Sequence, residues 1–243
     1  MEKLSDEMRA RLDSVTENYK LIEERICEAA LRSGRKREDI IFLAATKTVE
    51  PQVINHAISL GLSYIGENRV QELLSKYESY DLKNADLQFI GHLQSNKVRQ
   101  IIDKVSLIQS VDSPRLAREI ARQAKLHNKT MNVLIEVNIG GEENKSGVDP
   151  VALSETISEI SEIDGVFIKG LMAIPPICEK KSEIYKYFEN MHKLFIDISA
   201  KKSDNVSMDL LSMGMSDDYS DAILCGANMV RVGSALFGAR NYN

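Results

Sequence analysis

The sequence predicts a closed (β/α)8 TIM-type barrel preceded by one extra helix. Three observations carry that prediction. Eight short apolar runs recur along the chain, amphipathic stretches with helix-capping residues separate them, and 243 residues is a length such a barrel takes. Strands that alternate with helices pair in parallel through right-handed crossovers, with both faces of the sheet covered. The competing architecture, an open doubly wound sheet, usually carries a glycine-rich turn after its first strand, and the turn after Lys47 contains no glycine.

The elements follow in order. Leu4, Met8, Leu12, Val15, Tyr19, Ile22, Ile26 and Ala29 recur at steps of three and four and end at Ser33-Gly34, which predicts an amphipathic helix with a glycine stop over residues 1–34, packed on the barrel. The apolar runs then read IIFLAATK (40–47), LSYIGEN (62–68), LQFIGHL (87–93), VSLIQSVD (105–112), MNVLIEVNIG (131–140), GVFIKGLMAI (165–174), NVSMDLLSMGM (205–215) and MVRVGSALFG (229–238). Ser113-Pro114 opens one intervening helix as N-cap and first helical position, and Ser216-Asp217-Asp218 is expected to open another. One domain over 1–243 accounts for the whole pattern.

Composition narrows the function. Hydrophobic residues make up 43% and charged residues 28%, with 31 Lys and Arg against 36 Asp and Glu. The two signs are interspersed, so neither nucleic acid nor an anionic membrane is expected as the main partner. No apolar stretch has the length of a membrane span, and the acidic MEKLSDEMRA does not resemble a signal peptide, so a cytoplasmic protein is expected. Cys27, Cys178 and Cys225 lie far apart without C-x-x-C spacing, which implies no disulfide framework and no zinc site; each is expected to be a small buried apolar residue.

At the carboxyl ends of the predicted strands, where such a barrel keeps its active face, polar residues collect. Lys47 follows the first strand, Glu67 and Asn68 the second, His92 the third, Asn138 the fifth, Ser212 to Ser216 the seventh and Arg231 to Ser234 the eighth. A lysine at a strand end is ordinarily a solvated charge that begins a loop. Alternation, however, puts Leu43, Ala45 and Lys47 on one face, and small Ala45 leaves room beneath the lysine inside a barrel. A desolvated amine loses its proton near neutral pH, the state that attacks an aldehyde.

The segment LSMGMSDDYSDA points to a phosphate, because Gly214 lets backbone approach a ligand and Ser216 stands at the mouth of a helix whose N–H groups favour an anion. Ser216 is equally explained as a plain N-cap, with Asp217 and Asp218 complementing the helix dipole. Arg231, Gly233 and Ser234 close the eighth run, and barrels often bind phosphate with the loops after strands seven and eight. His92 is expected to be packed and satisfied by a backbone carbonyl. Glu136 and Lys169 are expected to form a structural charge pair inside the barrel, and the loop GGEENKSG (140–147) to be a polar connection able to close over the mouth.

The segments AATKT, YIGENRVQE, FIGHLQSNK, EVNIGGEENKSG, GLMAIPP and LSMGMSDDYSDAILCGANMVRVGSALFG, in order between about residues 40 and 238, resemble the pyridoxal-phosphate homeostasis proteins, single-domain relatives of the alanine racemase amino-terminal barrel. The resemblance implies a cofactor, pyridoxal 5'-phosphate, held by Lys47 as an internal aldimine. It also implies that Ser216, Gly233 and Ser234 bind the cofactor phosphate, that Arg231 faces the pyridine nitrogen, and that Asn68 lies at the cofactor's edge. The family's usual serine before the lysine is Thr46 here, and Val49-Glu50 replace its common basic or apolar residue. A guanidinium opposite the pyridine nitrogen cannot accept a hydrogen bond from a protonated ring nitrogen as a carboxylate would, which leaves the ring a weaker electron sink. The resemblance further implies that the racemase's second domain, with its acid/base tyrosine, is missing, and that nothing in the positions of Tyr64 or Tyr219 makes either a substitute.

Three functions follow from different classes. The first is a carrier of pyridoxal phosphate acting in vitamin B6 homeostasis without turnover, monomeric and handing the cofactor to apoenzymes. The second is an amino-acid racemase or decarboxylase using the same lysine. The third is an aldolase-like barrel that needs no cofactor.

Overall fold

The computed structural model describes residues 5–201 and 203–238; Leu4, the first apolar position of the predicted helix, lies outside them. Eight parallel strands close into a barrel in sequence order, with the eighth pairing back on the first. They are β1 (Ile41–Ala45), β2 (Tyr64–Glu67), β3 (Asp86–Phe89), β4 (Leu107–Val111), β5 (Met131–Val137), β6 (Val166–Ala173), β7 (Val206–Ser212) and β8 (Met229–Val232). Each lies within one of the eight apolar runs, except that β3 starts one residue earlier. The helices are α1 (Asp6–Arg32), α2 (Pro51–Ser59), α3 (Val70–Lys76), α4 (Pro114–Leu126), α5 (Leu153–Ser161), α6 (Lys181–Ser199), α7 (Tyr219–Leu224) and α8 (Ser234–Phe237). Between β3 and β4 the chain winds a 3-10 segment, Ser95–Gln100, in place of an α-helix. That crossover is short, and the tighter winding still buries Val98, Ile101 and Ile102.

Local chemistry explains the helix ends. Ser5 caps α1 by accepting the Met8 amide at 3.1 Å, and Gly34, at φ +74, stops it in the left-handed conformation that glycine adopts without strain. Ser113 caps α4 ahead of Pro114, as its pattern predicts. The start of α7 differs: Asp218, not Ser216, occupies the cap position, and its carboxyl accepts the Met215 amide at 2.6 Å.

Inside the barrel the amino-terminal layer is apolar, built from Leu107, Leu134, Met172 and Met229 with Ile41 and Leu210 against them. Above it lies a polar chain. Arg231 Nη1 donates to Ser212 Oγ at 2.6 Å, Ser212 donates to Gln109 Oε1 at 2.7 Å, and Gln109 Nε2 donates to Gln88 Oε1 at 2.7 Å. The four residues are at most 4% exposed, so each depends on these partners to satisfy its polar atoms.

Two expectations need correction here. Glu136 and Lys169 do not pair. The β5–β6 register steps from Ile168 to Gly170, leaving Lys169 as the extra residue of a bulge; its ammonium pairs with Asp209 at 2.9 Å and lies over the Phe167 ring. The three cysteines are free thiols, partly exposed rather than fully buried. Burial, with Glu189 and Asp221 adding to it, pushes the Cys225 thiol up to about 11. No helix among the described residues is long and apolar enough to cross a membrane.

Helix α1 packs against α2, α7 and α8 across the outside of the barrel. Val15, Ile22, Ile26, Ala29 and Ala30 form its buried face, Tyr19 stacks on Phe42, and Asn18 Nδ2 donates to the Leu236 carbonyl at 3.0 Å. The helix therefore reaches the carboxyl-terminal end of the barrel with its first turns.

Candidate functional site

A cavity of about 520 Å³ opens beyond the carboxyl ends of β1, β7 and β8. Lys47, Ser216, Arg231, Gly233 and Ser234 all line it, above Ala45. Asn68 does not; it follows β2, and its backbone carbonyl is packed so closely on Gly91 that a Cβ there would lie 2.0 Å from it.

The lysine sits in a turn held on both sides. Thr46 is fully buried, donating its hydroxyl to Glu67 Oε1 at 2.8 Å, with the Gly66 carbonyl 3.0 Å from the same oxygen. Thr48 is a β-branched residue at φ +63, an unfavourable conformation, and its amide donates to Glu72 Oε1. Lys76 joins the two sides, its ammonium donating to the Thr46 carbonyl at 3.1 Å, Glu67 Oε1 at 3.1 Å and Glu72 Oε1 at 2.5 Å. Tyr80 completes the buried cluster by donating its hydroxyl to Glu67 Oε1 at 2.5 Å. Burial first and the Glu67 charge second hold the Tyr80 phenol far above its ordinary range.

On the opposite wall Ser216 Oγ accepts the amides of Gly233 at 3.1 Å and Ala235 at 3.2 Å. The serine thus fastens the β7 loop to the turn after β8 instead of capping α7. Gly214, at φ +89, makes the bend possible, and a Cβ there would lie 2.5 Å from the Ala222 Cβ. Gly233 approaches the Ala45 carbonyl so closely that a Cβ would sit 3.2 Å from it. The Ser216 and Ser234 hydroxyls and the turn after β8 therefore gather at one end of the cavity, and the lysine lines the same space.

Arg231 closes the floor. Besides Ser212 it donates Nη2 to the Ala173 carbonyl at 2.9 Å. Burial pushes its guanidinium down to about 10, with Glu136 and Asp218 opposing, so it stays cationic at neutral pH. Burial and the Asp112 charge raise the Glu136 carboxyl, against the pull of Arg231 and His92. The donor set suits a small ligand with an anionic end, and no group of three or more His, Cys, Asp or Glu side chains among the described residues is arranged to hold a metal.

At the mouth, His92 is not packed as expected. Its ring is 58% exposed, Nδ1 lies 3.2 Å from Ser146 Oγ, and Asp112 is 3.9 Å away. Ser146 belongs to the 140–147 loop, which Asn138 anchors by paired hydrogen bonds with the Glu142 backbone. Sequence reasoning missed the brace of Lys76, Glu72 and Tyr80, the Gln88–Gln109 chain, and two residues of α1, Glu7 and Arg11, that line the cavity. The glutamines had a signal, since each falls at an inward position of an apolar run; Arg11 had none.

Comparison with known proteins places this geometry. The model of the family described as alanine racemase, N-terminal domain, matches residues 44–241. A pyridoxal phosphate homeostasis protein of Aquifex aeolicus is 46% identical over 221 residues, covering 90% of this chain and 95% of that one. A crystal structure of an unknown protein from Bifidobacterium adolescentis superposes with a TM-score of 0.90 at 35% identity, covering 97% of this chain and 98% of the other. PipY of Synechococcus elongatus, solved with PLP bound, superposes with a TM-score of 0.77 at 32% identity, covering 89% of this chain and all of that one.

Proposed function

The chain belongs to the family of pyridoxal phosphate homeostasis proteins, built on the alanine racemase amino-terminal barrel, and from that premise we propose that it holds pyridoxal 5'-phosphate through Lys47 and serves vitamin B6 homeostasis without catalytic turnover. The observation that carries this reading is the gathering of Lys47, Ser216, Arg231, Gly233 and Ser234 around one cavity at the carboxyl ends of the strands.

When bound, the cofactor supplies an aldehyde for a lysine amine and a phosphate for an anion seat. Lys47 is the attachment point, presented by a turn that Glu67, Glu72 and Lys76 hold in place. Ser216, Gly233 and Ser234 would form the phosphate seat, and Arg231 would be the residue for the ring nitrogen. Asn68 belongs at the cofactor's edge, outside the lining of the cavity. Arg231 supports weak rather than strong carbanion chemistry: a buried guanidinium that stays cationic can only donate to the ring nitrogen, which would leave that nitrogen unprotonated and the ring a weaker electron sink. The single barrel, α1 included, acts in the cytoplasm as a monomer, and apoenzymes that need the cofactor are its recipients.

The test is a titration of purified protein with pyridoxal 5'-phosphate, followed by absorbance, then incubation with L-amino acids. A saturable spectral change in the wild type, its loss in Lys47→Ala, and unchanged optical rotation with no carbon dioxide release support the reading. Lys47-dependent racemisation or decarboxylation overturns the carrier in favour of an enzyme, and a protein that takes no spectral change overturns both.

A further inference from the structure

We propose that Arg11, on the first turns of α1, is the cation of the phosphate seat and exchanges Glu50 for the phosphate when a phosphorylated aldehyde binds. The inference rests on the cofactor reading above and adds a residue that the resemblance does not supply. Arg11 lines the same cavity as Ser216, Gly233 and Ser234, on a helix that lies outside the barrel.

The charges around that cavity require such a group. A phosphate monoester brings close to two negative charges at neutral pH, while Glu7, Glu50 and Asp217 already line the space with carboxylates. Two other cations line it. Lys47 is the attachment point, and Arg231 is committed to Ser212 and the Ala173 carbonyl at the floor. Hydroxyl and amide donors alone leave the dianion beside three carboxylates.

Arg11 is held at the cavity by a partner it can release. Its Nη1 lies 3.2 Å from Glu50 Oε2, and the two side chains are 36% and 58% exposed. A pair so open to water contributes little, so giving it up for a dianion costs little. A guanidinium also matches phosphate oxygens with two parallel donors. Glu50 stands three residues after Lys47, at the N-cap position of α2, so the two ends of the ligand are sensed within one turn of chain.

The experiment compares equilibrium binding of pyridoxal 5'-phosphate with that of pyridoxal, its unphosphorylated counterpart, in the wild type, Arg11→Ala and Glu50→Gln, with far-UV circular dichroism to verify folding. The expected result is a loss for Arg11→Ala of roughly tenfold to a hundredfold toward the phosphorylated aldehyde with pyridoxal unchanged, and a gain of about twofold to fivefold for Glu50→Gln. Equal losses toward both aldehydes in Arg11→Ala assign the residue to packing and overturn the proposal, as does no loss toward either. A wild type that binds pyridoxal but shows no preference for its phosphate overturns the phosphate seat while leaving the Lys47 attachment standing. A wild type that takes up neither aldehyde overturns the cofactor reading itself.

Discussion

Lys47 is presented by a turn that its neighbours on both sides hold in place. Thr46 on one side and Thr48 on the other are tied into the cluster of Glu67, Lys76, Glu72 and Tyr80, and Thr48 is kept at φ +63 by its surroundings. Tyr80 gives the cluster a measurable pH signature. Its native phenol is held above the ordinary value, so above about pH 10 the unfolded chain releases a proton that the native protein keeps. This contribution to stability is complete below that pH and falls as pH rises. Tyr80→Phe is expected to lower stability at neutral pH by about 1–3 kcal/mol, because a buried carboxyl loses a donor. It should also flatten the alkaline decline by up to about 1.4 kcal/mol per pH unit. Urea unfolding at pH 7 to 11 checks this; parallel curves for wild type and variant contradict it. At this scale the sequence was most informative where a residue type is unusual for its position, as with Lys47 at a strand end and Arg231 in a strand. It was silent on Arg11 and Lys76, polar residues on helix surfaces whose partners are set by packing.

The elements were legible because hydrophobic period is local, and eight apolar runs separated by capped helices leave few other folds. Registers were not legible. The bulge at Lys169 depends on how β5 and β7 meet β6, and reading β6 as regular put Lys169 inside the barrel beside Glu136. Ser216 went the same way: its local context fits an N-cap, yet its hydroxyl is taken by amides of a turn that arrives after β8. The bulge itself can be tested. Gly170 stands at φ +149, and a Cβ there would lie 1.8 Å from the Leu210 carbonyl oxygen. Gly170→Ala is expected to cost about 3 kcal/mol or more, combining backbone strain with displacement of β7. Thermal denaturation should show a melting temperature lower by roughly 6 °C or more. An unchanged midpoint contradicts the close strand approach.

For the whole molecule, closure of the barrel brings β1 beside β8, so the turn after the first strand and the loops after the seventh and eighth share one rim although they are far apart in sequence. The apolar layer below and the Gln88–Gln109–Ser212–Arg231 chain above it give that rim a rigid floor, and α1 completes its outer wall. Topology therefore explains why a lysine near residue 47 and a serine near residue 216 meet in one cavity. The most direct test of the account is borohydride reduction of the protein loaded with pyridoxal 5'-phosphate, followed by peptide mapping. A single reduced adduct is expected on the peptide carrying Lys47, and its loss in Lys47→Ala. An adduct that persists in Lys47→Ala, on Lys145 or any other lysine, would contradict it.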